Sequence, residues 1–489
     1  MTPVNLYKEK KRRHFGFLGG GGRATHSVAN THSSPPNRLM LLMIFCMGCL
    51  IGFSSWLQSQ FWIALPTPPP APLNPSLIGD SDWNDFQQDY QGRFGRPETP
   101  PGMRSWLAFA RMHQCSERDF YQDMDDDLAF FRSIIQKEGH KKFRRADIVP
   151  TGLDQTDNYM AFKLQHHQLQ VIASRNAGNN DREQRQIEQL LRWILEPIRV
   201  HEPKLDATYF FNLHDGATPA KDTTKRPIFS VCKQGYWTES KQPPTYNINF
   251  DSFKGQHHYL SNHPDYHDWA AFESRDIMVP YHFGYDSADS IIIQSDNTLP
   301  FSQRQESLVW RGSTTGSVWG ESPRFRLIRE YSGGTDAAYQ LSDQVPVMMD
   351  LAFVNVMQND AGQTLAPRSR TGDRLEFHEL QQHKYIMDVD GNAFTSRFPG
   401  LLKSGSLIFK STRYREWYTE RLRPYVDYVP VNYNLTDLTQ KIQWAHAHPQ
   451  DAAKITQHAQ QTASKFLRRQ DMRCYMYRLL LEYQTLFED

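Results

Sequence analysis

The segment from Asn392 to Phe398 contains residue types that could bind a phosphate group. It lies between a strand predicted at 384–389 and a helix predicted at 396–404. A helix that begins near Ser396 would present free backbone N–H groups to an anion. Arg397 would add a guanidinium, which forms paired hydrogen bonds with phosphate oxygens. On the residues alone, an ordinary turn between a strand and a helix, with a solvated arginine, is the better interpretation.

A second candidate group lies near the start of the second half of the chain. Arg311 and Ser313 belong to a Trp-Arg-Gly-Ser run, and a Gly-Ser loop after a strand can approach a ligand through its backbone. Arg324 lies in a helix predicted at 323–331 and could reach a phosphate or a sugar. Arg326 is a nearly equal candidate, because the two arginines alternate in the run Pro-Arg-Phe-Arg. Any of these side chains could instead take part in a surface ion pair.

Asp388 and Asp390 form a D-x-D pattern at the end of a predicted strand. Residues two apart on an extended strand point to the same side, so the two carboxylates could bind a divalent cation together. A role in structure or in ligand positioning is the alternative interpretation.

Short apolar runs alternate with helical segments through most of the chain, which predicts an α/β fold with largely parallel sheets. Two such blocks predict two Rossmann-type domains with a cleft between them. We place an N-terminal domain at 103–300 and a C-terminal domain at 301–489, which closes with three helices at about 436–447, 451–468 and 471–487. A further helix between Cys115 and His140 has four aspartates off its apolar stripe, where we expect solvent: Asp123, Asp125, Asp126 and Asp127.

The first 102 residues predict a membrane anchor and a spacer. No charged residue occurs from Leu39 to Leu65, and a bilayer-spanning helix needs about 20 apolar residues. Basic residues precede this stretch, so the positive-inside rule predicts a cytosolic tail at 1–38, an anchor at 39–62 and a lumenal body. The Pro-rich run that follows predicts an extended stem at 63–102. A cleaved signal peptide is the rival interpretation, against which the long N-terminal region weighs.

The amino-acid composition argues against one functional class and is compatible with sugar binding. Lys and Arg number 55 and Asp and Glu 54, so the basic excess that is typical of nucleic-acid binders is missing. Aromatic residues make up 13% of the chain, which suits sugar stacking as well as large cores.

Three cysteines, Cys115, Cys232 and Cys474, lie in the predicted lumenal part. In an oxidising compartment they suggest one disulfide and one remaining thiol. Asn434 begins an N-x-[ST] sequence and would be a glycosylation site if exposed.

The C-terminal half contains several motifs in a distinctive order. They are W-R-G-S-T-T-G at 310–316, P-R-F-R-L at 323–327, H-K-Y-I-M-D-V-D-G-N-A-F-T-S-R-F-P-G-L-L-K-S-G-S-L-I-F-K at 383–410, E-W-Y at 416–418, L-R-P-Y-V-D-Y-V-P-V at 422–431 and C-Y-M-Y-R-L-L-L-E-Y at 474–483. On these residues the chain resembles glycosyltransferase family 90, which includes fungal capsule xylosyltransferases and animal protein O-glucosyltransferases. The resemblance implies a GT-B fold, with an acceptor-side domain, a donor-side domain and an active site between them.

The resemblance also implies roles for particular residues. The nucleotide sugar would bind at Ser313, Arg324, Ala393, Phe394, Thr395, Ser396, Arg397 and Phe398. The family's catalytic base is an aspartate in a motif resembling N-x-x-D-x-x-P. The run N-L-H-D-G-A-T-P at 212–219 matches it with one extra residue, so Asp215 is the candidate, and a turn-capping aspartate is the alternative. Some members lack both acids of the D-x-D pattern, so we favour no metal and no cofactor beyond the UDP-sugar substrate. Cys115 and Cys474 resemble two family cysteines that pair.

These observations predict an inverting glycosyltransferase that moves xylose or glucose from a UDP-sugar to a lumenal glycan or protein. We expect a single-pass type II protein of the Golgi or endoplasmic reticulum membrane. The alternative is a non-catalytic lumenal glycan-binding or scaffolding protein that retains the fold. A hydrolase is not indicated, because the chain has no G-x-S-x-G and no H-E-x-x-H sequence.

Overall fold

The computed structural model describes residues 77–96, 98–139, 141–144, 159–165, 168–175, 188–189, 191–193, 207–212, 227–234, 276–280, 299–315, 323–332, 339–357 and 371–488. These residues belong to one compact unit, which runs from Pro70 to Asp489. Within these ranges no helix is long and apolar enough to cross a membrane. The predicted anchor at 39–62 and the candidate base Asp215 lie outside the described residues.

Three helices open this part of the chain: α1 (Asp80–Phe94), α2 (Met103–Met112) and α3 (Gln122–Lys137). The expectation of an extended stem is wrong for the residues of α1. Trp83, Phe86, Tyr90 and Phe94 recur at helical spacing, and this apolar stripe packs on the core, with Phe86 and Tyr90 fully buried.

Two of the four aspartates on α3 are buried, contrary to the expectation that all of them face solvent. Asp123 forms an ion pair with Arg415. Asp127 forms an ion pair with Lys233 and accepts a hydrogen bond from the backbone N–H of Met278 at 3.1 Å. Because each carboxylate has a cationic partner, burial is tolerated at these positions.

The first sheet has five strands in the order β2-β1-β3-β4-β6. Their bounds are β1 (Tyr159–Gln165), β2 (Gln168–Arg175), β3 (Ala207–Asn212), β4 (Phe229–Ser230) and β6 (Ile277–Met278). β3, β4 and β6 are parallel, whereas β1 is antiparallel to both β2 and β3. The expectation of a largely parallel sheet fails here, because the short connection from β1 to β2 can join only antiparallel strands.

The second sheet has six strands in the order β13-β11-β10-β7-β9-β8. Their bounds are β7 (Gln305–Ser313), β8 (Tyr339–Ser342), β9 (Val345–Asn355), β10 (His383–Val389), β11 (Leu407–Ser411) and β13 (Val429–Pro430). The neighbouring pairs from β13 to β9 are parallel, and only β8 is antiparallel to its neighbour. The chain leaves β7 towards β9 on one side and returns to β10 on the other. The carboxyl ends of β7 and β10 therefore form a topological switch point, where open α/β sheets bind ligands.

Both faces of the second sheet are covered by apolar side chains. Tyr385, Met387 and Val389 of β10 lie in one core cluster, with residues of α4 (Pro323–Tyr331), α7 (Leu438–Ala447) and α8 (Pro449–Phe466). Ile386 faces the other cluster, which also contains residues of α2, α3 and the first sheet. Burial on both faces explains the nearly continuous apolar runs of β10 and β11.

Three shorter elements complete the second half. α5 (Phe377–Leu380) precedes β10, and α6 (Phe398–Leu401) follows it. β12 (Tyr414–Arg415) pairs antiparallel with β5 (Lys233–Gln234), so a two-stranded ribbon joins the segment after β4 to the segment after β11.

The last helix, α9 (Arg469–Gln484), packs against the first half of the chain, although it follows the second sheet in sequence. Tyr475 and Tyr483 donate hydrogen bonds at 3.1 Å to the carbonyls of Met278 and Pro227 respectively. A disulfide joins Cys115 and Cys474, the two cysteines whose pairing the resemblance implied. α9 therefore links the end of the chain to α2 and to the first sheet.

Candidate functional site

The predicted site residues of the second half meet at the carboxyl ends of β7 and β10. Ser313 is the last residue of β7, and residues 393–398, hereafter the 393–398 segment, follow the end of β10. α6 has a single turn and begins at Phe398, later and shorter than the helix predicted at 396–404. Because the charge at a helix end grows with aligned peptide dipoles, so short a helix attracts an anion weakly, and side chains must supply most of the binding.

Arg324 on α4 bridges the two strand ends. Its Nε donates a hydrogen bond to the carbonyl of Asp390 at 3.0 Å, and its Nη1 donates to the carbonyl of Ser313 at 3.0 Å. Burial, followed by the nearby Arg397, lowers the pKa of Arg324 to about 10, so the side chain stays cationic at neutral pH. A Cβ at position 391 would lie 2.7 Å from Nη2 of Arg324, so any larger residue there would have to displace the guanidinium.

Arg397 also contacts residues near the carboxyl ends of β7 and β10. Its Nη1 donates to the carbonyl of Arg311 at 2.7 Å, and its Nη2 lies 3.7 Å from Oδ1 of Asp388. The Arg397 side chain is 37% exposed, and its buried Nη2 atom has no hydrogen-bond partner among the described residues. Two guanidinium groups at the same strand ends, one of them on a partly exposed side chain, favour an anion with several oxygens.

The two other arginines of the candidate group are engaged elsewhere. Arg311 donates from Nη2 to both carboxylate oxygens of Asp350 at 3.0 Å, and from Nε to the carbonyl of Asp373 at 3.1 Å. Arg326 lies 3.9 Å from Glu330 on its own helix. The geometry therefore favours Arg324 over Arg326 as the arginine that contacts the carboxyl ends of β7 and β10.

The 393–398 segment divides into buried and accessible side chains. Ala393 is buried against Cys232 and Tyr414, and Phe398 is buried beside Lys410. Thr395 is also buried, whereas Phe394, Ser396 and Arg397 are partly exposed. The buried members hold the conformation of the segment, and the exposed members are available to a ligand.

Asp388 and Asp390 are both fully buried and are used inside the protein. Asp388 accepts hydrogen bonds from Thr395 and Lys410, and Asp390 accepts one from the backbone N–H of Arg413 at 2.9 Å. Burial, opposed by the cation of Lys410, raises the pKa of Asp390 to about 6. In the part of the chain that the structure describes, no group of three or more His, Cys, Asp and Glu side chains could hold a metal ion.

Sequence reasoning missed a polar cluster formed by Lys410, Glu416 and Tyr418 beside the 393–398 segment. The hydroxyl of Tyr418 donates to Oε1 of Glu416 at 2.6 Å, and both residues are buried. Burial raises the pKa of Glu416 to about 8. Together with Phe398, these three side chains contribute to the lining of one small cavity. The E-W-Y run at 416–418 was the available signal, because two large aromatic residues directly follow the glutamate.

Comparison with known proteins identifies the part of the chain that contains this site. Residues 262–488 match the family model described as Glycosyl transferase family 90. Protein O-glucosyltransferase 2 from Danio rerio is 28% identical over 226 residues, 44% of this chain and 41% of that protein. Residues 262–488 of the chain are thus similar to glycosyltransferase family 90.

Two other relatives match this chain, one over a shorter length and one over a similar length. Protein O-glucosyltransferase 3 from Rattus norvegicus is 38% identical over 111 residues, which are 22% of each chain. Protein O-glucosyltransferase 1 from Bos taurus is 26% identical over 229 residues, 45% of this chain and 54% of that protein. The chain thus spans between about a fifth and about half of the length of these relatives. Among solved structures, sucrose-phosphate synthase from Thermosynechococcus elongatus has 13% identity and a TM-score of 0.25, covering 41% of this chain and 48% of that chain, a likeness too low for any argument.

Two further predicted residues are Asp215 and Asn434. β3 ends at Asn212, and Asp215 follows within the residues that the structure does not describe, so its catalytic role stays a prediction. Asn434 is half-buried, and its Oδ1 accepts a hydrogen bond from the hydroxyl of Thr436 at 2.8 Å. Glycosylation of Asn434 also stays a prediction.

Proposed function

We propose that the chain is an inverting glycosyltransferase that moves xylose or glucose from a UDP-sugar to the hydroxyl of a lumenal glycan or protein. The single observation that carries the proposal is the convergence of Arg324 and Arg397 at the switch point between β7 and β10. A diphosphate matches this site in charge and in the number of its oxygens.

The proposed chemistry divides between the two halves of a GT-B-like molecule. UDP gains negative charge as it leaves the anomeric carbon, and the two guanidinium groups would stabilise that charge in the transition state. Asp215 would accept the proton of the acceptor hydroxyl as that hydroxyl attacks the opposite face of the sugar. Neither step needs a metal, because the cations that stabilise the leaving group come from the chain.

The proposed substrates draw on the names of the relatives. Three of the curated relatives are protein O-glucosyltransferases, which supports glucose and a protein acceptor as the first pair to test. The disulfide between Cys115 and Cys474 supports a lumenal body, because disulfides persist in oxidising compartments. We place that body on a single-pass type II anchor at 39–62, in the Golgi or endoplasmic reticulum membrane.

UDP binding by the detergent-solubilised full chain tests the donor site. Titration calorimetry should show that Arg397→Gln weakens UDP binding by about tenfold or more, because a charged hydrogen-bond donor to phosphate is lost. Arg326→Gln is the matched control: it removes an arginine from the adjacent helix, and we expect wild-type affinity. Wild-type affinity in Arg397→Gln, or loss of affinity in Arg326→Gln alone, would contradict the site.

A further inference from the structure

A buried ion pair connects two neighbouring parallel strands of the second sheet, β10 and β11, near their carboxyl ends. Asp388 on β10 and Lys410 on β11 are direct partners in the strand register, and Nζ of Lys410 lies 2.7 Å from Oδ2 of Asp388. The side chains are 0% and 4% exposed respectively. Two residues earlier on the same face, the partners are Ile386 and Ile408, which are apolar. An apolar pair at 388 and 410 would avoid the cost of removing two charges from water.

The pair contacts three members of the 393–398 segment. Oγ1 of Thr395 lies 2.7 Å from each carboxylate oxygen of Asp388. Oδ1 of the same carboxylate lies 3.7 Å from Nη2 of Arg397, and Nζ of Lys410 lies 4.2 Å from the centroid of the Phe398 ring. The ion pair therefore holds both ends of the stretch that contains the accessible arginine.

Further charged and polar groups surround the ion pair. Lys410 faces the carboxyl groups of Asp388, Asp390 and Glu416, and burial raises the pKa of Asp390 and of Glu416. Asp388 in turn has Lys410, Thr395 and Arg397 around it. One fully formed pair within such a cluster fixes the geometry of its neighbours, since the charged groups have few other partners at this depth.

We propose that Asp388 and Lys410 are positioning residues that set the conformation of Thr395, Arg397 and Phe398 for binding the diphosphate of a nucleotide sugar. The proposal rests on the proposed function and adds to it how the donor site is organised. The carboxylate acts through Thr395 and Arg397, without touching the ligand itself. The D-x-D pattern then orders a loop and does not bind a metal ion.

Thr395→Val tests the contact between the pair and the segment, because it removes one hydroxyl and keeps a side chain of similar shape. We expect the Kd for UDP and the KM for the UDP-sugar to rise about tenfold, with a smaller change in kcat, since a hydrogen bond to a charged group is lost. Thr395→Ser restores the hydroxyl and should restore both constants. Ser411→Ala is the matched control: Ser411 is fully buried at the end of β11 and donates to the carbonyl of Asn432 at 3.2 Å, towards β13.

A double variant separates positioning from fold stability. Asp388→Leu/Lys410→Met removes both charges together, and buried ion pairs can often be replaced by apolar residues without loss of stability. We expect a thermal midpoint close to that of the wild type together with at least about tenfold weaker UDP binding.

The outcomes distinguish this proposal from the proposed function. If the wild type binds UDP and Thr395→Val and the double variant bind it equally well, the positioning proposal is wrong and the donor site stands. If Thr395→Ser does not restore the UDP affinity that Thr395→Val loses, the hydroxyl of Thr395 is not the contact that positions the segment, and the proposal is again overturned. If the wild type neither binds UDP nor releases it from a UDP-sugar, both proposals fall together.

Discussion

Glu416 illustrates how burial changes the chemistry of a single side chain at this site. Desolvation by burial raises its pKa from 4.5 to about 8, although the nearby cation of Lys410 acts in the opposite direction. The folded protein therefore keeps a proton on Glu416 at pH values where the unfolded chain has lost it. Stability from this group is fully present below about pH 4.5 and is lost as the pH rises through about 8.

Glu416→Gln should remove this pH dependence, because glutamine resembles the protonated carboxyl and keeps an oxygen that accepts from Tyr418. From about pH 5 to about pH 8 we expect the free energy of unfolding of the variant to gain more than about 1 kcal/mol relative to the wild type. Urea unfolding at a series of pH values measures this difference. Asp390 and Glu420, whose pKa values burial raises to about 6 and about 7, are common to both proteins and largely cancel. Parallel pH curves for the two proteins would show that Glu416 is ionised in the fold.

At the residue scale, the role of a side chain could be predicted from the sequence where its residue type has one dominant use. It could not be predicted where burial determines that role. Arginines next to a strand end were sound candidates, because a guanidinium needs acceptors and strand ends supply carbonyls. The buried carboxylates of Asp123 and Asp127 could not be foreseen, because their cationic partners Arg415 and Lys233 are distant in the chain.

At the scale of elements, apolar periodicity placed most of the second half correctly. β10, α4 and α7 lie within a few residues of their predicted bounds, since each buries a continuous apolar run or stripe. The pairing of β1 and β2 was not foreseen, because strand direction depends on which strand becomes the neighbour. α1 was missed because its stripe lies within a segment rich in proline and charge, whose composition indicates a spacer.

The disulfide provides a test at the element scale, because it joins the segment after α2 to α9 across a sequence separation of 359 residues. Cys115→Ser/Cys474→Ser should lower the free energy of unfolding by about 2 to 5 kcal/mol in urea. Adding reductant to the wild type should reproduce that loss, and adding it to the variant should have no further effect. Equal unfolding midpoints for the variant and the oxidised wild type would mean that the bond does not stabilise this fold.

At the scale of the whole molecule, two arginines lie at the switch point of the second sheet, and the catalytic candidate Asp215 follows β3 of the first sheet in the sequence. α9 and the β5–β12 ribbon connect the two halves within the described residues, so the elements that carry the two groups belong to one compact unit. The topology of the second sheet could be expected from alternating strands and helices. The apolar residues of α9 are compatible with either core, so its return to the first half was implied only by the resemblance, through the pairing of Cys115 and Cys474.

UDP release from UDP-glucose, UDP-xylose and UDP-galactose by the detergent-solubilised full chain tests the central claim most directly, with and without EDTA and beside Asp215→Asn. We expect release with one donor, insensitivity to EDTA, and loss of turnover in Asp215→Asn with UDP binding retained. No release with any donor, together with no binding of UDP, would contradict the account and favour a non-catalytic glycan-binding protein that retains the fold.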